Sequence, residues 1–239
     1  MKRILIVSPV RGVFFPIYLV LGLLLLLVSI SYFEYLLVQT GLPKEIGYAL
    51  AVEISFLSLA TSPVNVIVKE LRTPPIEPEY EVIYVFGFPV YYRRIEMPTY
   101  TLLAFNVGGA IIPAFLSLTL LYLVSEKLLI LVNVLVIVVI SKLFSKVSKG
   151  VGVVMNPLIA PLFSVTVSYL LFFRDPILVP TSAYIGSVLG TLIGADLLNL
   201  RKILEARPQL ISVGGMGTFD GIFMSGLLSI VLGQLLISL

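Results

Sequence analysis

The run VFFPIYLVLGLLLLLVSISYFEYLL, residues 13–37, carries one charge, Glu34, in 25 residues. About 20 apolar residues in helical conformation cross the hydrocarbon core of a bilayer. The run is therefore expected to be a membrane span, and it sets how the rest of the chain is read. The basic MKR ahead of it also suits a signal peptide, but the apolar part of a signal peptide ends after about 7–15 residues. No small-residue cleavage pattern follows, so the segment is expected to be a retained first span.

The composition agrees. Only 12% of the 239 residues are charged and mean hydropathy is +1.10, whereas soluble domains average roughly 25% charged. Six further apolar runs, at 46–62, 99–124, 128–143, 157–173, 180–200 and 218–239, complete a count of seven. The second is short and contains Glu53. The expected fold is an all-α polytopic membrane protein of about seven transmembrane helices, forming one membrane domain over residues 1–239.

Cysteine, histidine and tryptophan are absent. Their absence excludes disulfides, thiol nucleophiles, Cys/His zinc sites and a Ser-His-Asp triad. Acid–base chemistry is left to carboxylates, with no cofactor or metal expected. The net charge of +3 is small and is read as topology, not as nucleic-acid binding. With seven spans, thirteen of the 16 lysines and arginines share the side of the N-terminus, leaving Lys44, Lys127 and Arg174 opposite. The positive-inside bias then puts the N-terminus in the cytoplasm and the C-terminus outside a cell membrane.

Residues 63–98 form the one long polar segment. VNVIVKEL, EVIYVFG and FPVYYRRIE are rich in Val, Ile, Tyr and Phe and separated by proline and glycine. They read as strands, the last two as a hairpin. A small cytoplasmic β-rich insertion against the lipid surface is expected, with Tyr80, Tyr84, Tyr91, Tyr92 and Tyr100 at the interface. PQLISV, residues 208–213, reads as a further short strand whose edge an extended substrate can join.

Two acids stand out near membrane depth, Asp196 in LIGADLLNL and Asp220 in GGMGTFDGIFMSG. Asp196 comes 16 residues after Pro180, about 24 Å of helix, and Asp220 stands 19 residues before Leu239, about 28 Å. Both therefore fall at the cytoplasmic end of consecutive antiparallel spans, where they can face each other. Two close carboxylates share a proton, as in aspartic proteases. A bland alternative for Asp220 is an N-terminal helix cap; for Asp196 it is pairing with Arg201 or Lys202. Gly214, Gly215 and Gly217 permit positive φ or close approach. Asn199, one turn after Asp196, and Asn106 in FNVGGAIIP are polar groups at a similar level. They serve either as interhelical hydrogen-bond formers or as ligands for water, peptide or ion.

At these motifs the chain resembles a family of uncharacterised multi-pass prokaryotic membrane proteins with a domain of unknown function, a likeness that implies no activity. More distantly, GMGTFDGIF resembles the G-x-G-D motif of the presenilin and signal-peptide-peptidase type of intramembrane aspartyl protease. That resemblance implies Asp196 and Asp220 as the catalytic pair, Gly215, Gly217, Asn199 and Asn106 as nearby substrate-binding groups, and single-span membrane peptides as substrates. It departs from the pattern in three ways: Thr218 and Phe219 separate glycine from acid, the first acid follows Ala195 and not a tyrosine, and no proline follows Asp220. A proton- or cation-coupled transporter and a non-catalytic membrane scaffold are the alternatives.

Overall fold

The computed structural model describes residues 3–7, 15–72, 80–85, 88–93, 100–148, 152–205, 208–215 and 221–239. Among these, four stretches are long and apolar enough to cross a membrane. They are Leu19–Gln39 within α1 (Phe15–Gln39), α4 (Lys127–Phe144), the composite helix Pro176–Glu205 and α8 (Gly221–Ser238). Leu23, Leu24 and Leu27 of α1 are exposed on the protein surface. Contiguous apolar exposure on this scale is unfavourable in water and compatible with lipid contact. The other three expected spans are shorter helices: α2 (Lys44–Ala60), α3 (Ile112–Leu123) and α5 (Ile159–Leu171), of 17, 12 and 13 residues.

The composite helix is the axis of the molecule. Its main segment, α6 (Val179–Thr191), is buried at every residue and packs on α3, α4, α5 and α8. Glycines at every fourth position, Gly186, Gly190 and Gly194, let it lie against α4 at close range. A Cβ on Gly190 would stand 2.6 Å from the Cβ of Ile137, and one on Gly186 would meet the Asn133 amide. Asn133 Nδ2 in turn donates to Ser168 Oγ (2.8 Å) and the Ser182 carbonyl (3.0 Å), tying α4, α5 and α6 together. Gly190→Leu is expected to overpack this seam and lower stability by about 1–3 kcal/mol, seen as a lower unfolding midpoint in detergent.

The expected β-rich insertion of a helical protein contributes its first strand to a larger four-stranded sheet, ordered β1-β2-β5-β8, which the sequence reading did not assemble. Its strands are β1 (Ile4–Ile6), β2 (Val64–Arg72), β5 (Tyr100–Asn106) and β8 (Leu210–Val213). β1 and β5 both pair antiparallel with β2, and β8 runs parallel to β5. The expected third span, 99–124, thus begins as the inner strand β5 and turns helical only at Val107. A strand buried between neighbours reads as an unbroken apolar run, which periodicity cannot separate from a buried helix. The expected strands at VNVIVKEL and PQLISV are present as β2 and β8. The expected hairpin is present as β3 (Tyr80–Val85) and β4 (Phe88–Arg93). A second hairpin, β6 (Lys146–Ser148) with β7 (Gly152–Val154), follows α4 and had no counterpart in the sequence reading.

Candidate functional site

Asp196 ends a wide π turn, Leu192–Asp196, at which α6 loses its regular pitch. A tight 3-10 turn, Leu197–Asn199, follows, and then the short α7 (Leu200–Glu205). Single π turns inside helices re-aim side chains and concentrate at functional positions. Here the turn leaves the Asp196 carboxylate half-buried, with Oδ2 accepting from the Gly214 N–H at 3.1 Å.

That donor is held from below. Gly214 and Gly215 have φ of +88° and +92°, a pair of left-handed residues that only glycine adopts without strain. Gly214 lies so close to Ala110 that its own Cβ would collide there. Ser212 places its hydroxyl between the Gly215 carbonyl and Asn65 Oδ1, 2.5 Å from the latter. Asn106 Nδ2 donates to the Ser62 carbonyl (2.6 Å) and to Asn65 Oδ1 (3.3 Å). Its Oδ1 accepts from Gly109 N (2.6 Å), which caps the turn leading into α3. Asn65 and Asn106 are wholly buried register partners across β2 and β5. In low dielectric, a network satisfied in this way fixes one geometry.

Asp196 and Thr191 stand in the wall of a cavity of about 550 Å³. The first turn of α8, the β6–β7 hairpin and β8 supply the other walls. All four residues of β8 line it. Successive strand residues point to opposite faces, so a strand that contributes every residue meets the cavity edge-on. β8 pairs with β5 on its other side, and among the described residues no strand pairs with the edge turned to the cavity.

Of the residues singled out from sequence, Asp196 and Gly215 line the cavity. Asp220 and Gly217 lie outside the described residues. Their segment is short: Gly215 and Gly221 both line the cavity, and five residues separate them. Asn106 and Asn199 are not among the lining residues, and each spends its amide on protein partners. The alternative pairing of Asp196 with Arg201 or Lys202 is not formed among the described residues, and Arg201 faces Glu205 at 3.6 Å on the exposed side of α7. Sequence reasoning passed over Asn65, Ser212, Thr191 and Lys142. Asn65 was findable, as the lone polar residue in the apolar strand VNVIV.

Together these features define a helical, membrane-compatible protein with a carboxylate-bearing cavity at the junction of its bundle and its sheet. Residues 59–232 match the model of DUF1614, described as a protein of unknown function, and the chain belongs to that family. No curated protein and no solved structure matches the chain.

Proposed function

We propose that this protein is an intramembrane aspartyl endopeptidase that uses Asp196 and Asp220 to cleave single-span membrane peptides. The observation that carries this reading is the placement of Asp196 in the wall of a cavity that β8 meets edge-on. Asp220 is bonded to Gly221, which stands in the same wall. In this reading the two carboxylates share a proton, so that one activates a water while the other protonates the scissile carbonyl. A helical substrate must be drawn out to expose its peptide bond, and an edge strand such as β8 accepts an extended segment through backbone hydrogen bonds. The apolar walls, which include Val153, Ile211, Val213 and Ile222, suit aliphatic side chains. The likeness of GMGTFDGIF to the G-x-G-D motif of presenilin-type proteases points the same way.

The orientation follows from charge. α4 begins at Lys127 and has Lys142 in its last turn, and Lys142, Lys146, Arg201 and Lys202 all belong to the end that holds the cavity. The positive-inside bias then turns the cavity toward the cytoplasm.

The test is direct. Purified protein in liposomes is given a single-span peptide carrying a dye at each end. Two fragments cut within the span are the expected result. Ion-driven uptake without cleavage would instead favour a cation-coupled transporter, the second reading, for which the interrupted helix at Asp196 speaks. Neither activity would leave a scaffold.

A further inference from the structure

We propose that Lys142 and Asn199 are positioning residues for Asp196, acting through the backbone of the broken turn that carries it. The kinetic part of this inference rests on the peptidase reading; the geometric part does not.

The π and 3-10 turns around Asp196 interrupt the regular ladder of helical hydrogen bonds, and side chains take up the carbonyls on either side of it. Asn199 Nδ2 donates to the Ala195 carbonyl at 2.8 Å, immediately before the acid. Lys142 Nζ donates to the Leu198 carbonyl at 2.7 Å, two residues after it. The two grips are joined, because the same ammonium donates to Asn199 Oδ1 at 2.6 Å. Asn199 Nδ2 also reaches Ser145 Oγ at 2.8 Å.

Asn199 is 3% exposed, so its amide works where water competes little. A charge-assisted donor is about twice as strong as a neutral one. Lys142 is therefore well placed to hold Asn199 in the rotamer that grips Ala195. An ordinary helix-capping lysine would bond the last carbonyls and stop there. This one continues through a buried amide to the residue preceding the acid. The clamp also reaches the β6–β7 hairpin: Ser145 is the residue before β6, and the hairpin contributes Ser148, Gly152 and Val153 to the cavity wall. Acid and hairpin are thereby set relative to each other, which is what a site needs to hold a scissile bond at fixed range of a carboxylate.

The experiment compares Lys142→Met, Lys142→Arg and Asn199→Asp. Arginine keeps donors for both acceptors. Aspartate keeps the acceptor for Lys142 but has no N–H for Ala195. In the peptide assay, Lys142→Met and Asn199→Asp are expected to lower kcat by about 100-fold with KM little changed, the scale of a misplacement of about 1 Å. Lys142→Arg is expected to restore most of it.

A second measurement does not need activity. The chain has no cysteine, so nitroxides on cysteines introduced at Leu197 and Gln209 report the distance from the Asp196 turn to β8 by pulsed EPR. A narrow distribution in the parent and Lys142→Arg, broadened in Lys142→Met and Asn199→Asp, supports the clamp, even if the parent cuts no peptide and the peptidase reading falls. Unchanged distributions across all variants overturn it. So does equal loss of kcat in Lys142→Met and Lys142→Arg, which would mean that the lysine does something other than hold the turn.

Discussion

Asp196→Asn and Asp220→Asn, each made alone, are expected to lower peptide cleavage by about 10²- to 10⁴-fold, the range for loss of a general acid or base. The double variant is expected to be no worse than either single one, because groups that act as a unit are not additive. The substitution at 196 is chosen to spare the fold: an amide oxygen can still accept the Gly214 N–H that Oδ2 accepts in the parent. Asp196→Asn should therefore keep the parent's unfolding midpoint and elution volume while losing cleavage. Multiplying losses would count against a shared proton, and retained cleavage in either single variant would end the dyad. If Asp220 served only as a helix cap, Asp220→Asn would keep both cap and cleavage, and Asp220→Ala would lower stability by about 0.5–2 kcal/mol.

Gly214→Ala is expected to lower stability strongly, for two reasons that add. Its φ of +88° is a conformation that costs L-residues roughly 1–2 kcal/mol. The added Cβ would also run into Ala110, at the start of the helix that Asn106 caps, and overpacking of this kind adds about 1–3 kcal/mol. A loss of about 2–5 kcal/mol is expected in chemical unfolding. Cleavage should fall with it, since the same residue donates to Asp196. Gly221→Ala is the comparison for stability: nothing stands within 4 Å of the added methyl and its φ is not left-handed. Its expected change is under about 1 kcal/mol.

The apolar character of the chain was legible because long runs such as 13–37 have few alternatives. Strands rich in Val, Ile, Tyr and Phe between prolines were legible for the same reason, and β2, β3, β4 and β8 stand close to where the patterns put them. β5 was not legible. YTLLAFN runs straight into VGGAIIPAF, and an inner strand and a buried helix look alike when both sides are covered. β1 was hidden by its length: three residues ahead of a dominant apolar run carry no period of their own. At the site, Asp196 announced itself as a charge in an apolar segment. Asn199 was noticed, and its hydrogen bonding between helices was expected, but its hold on the Ala195 carbonyl was not. An amide is equally suited to a ligand or to a carbonyl of its own helix, and only the geometry of a π turn tells which carbonyl is free to receive it. Lys142 looked like one more cytoplasmic charge, because a lysine at a helix end usually is one.

The parallel pairing of β5 with β8 has a consequence for how the protein is made. Residue 102 of β5 registers with residue 210 of β8, and five helices, α3 to α7, are synthesised between them. At about 5–20 residues per second, β5 leaves the ribosome on the order of ten seconds before its second neighbour exists. Through that interval the sheet has an open edge of Leu, Ala and Phe in the middle of its future core, the kind of edge that pairs with whatever strand arrives first. The cavity wall, the left-handed glycine pair and the bond to Asp196 all wait on the same late event. The site is therefore completed by the C-terminal part of the chain, and a ribosome that stops short of residue 210 leaves a bundle with no cavity and an unsealed sheet.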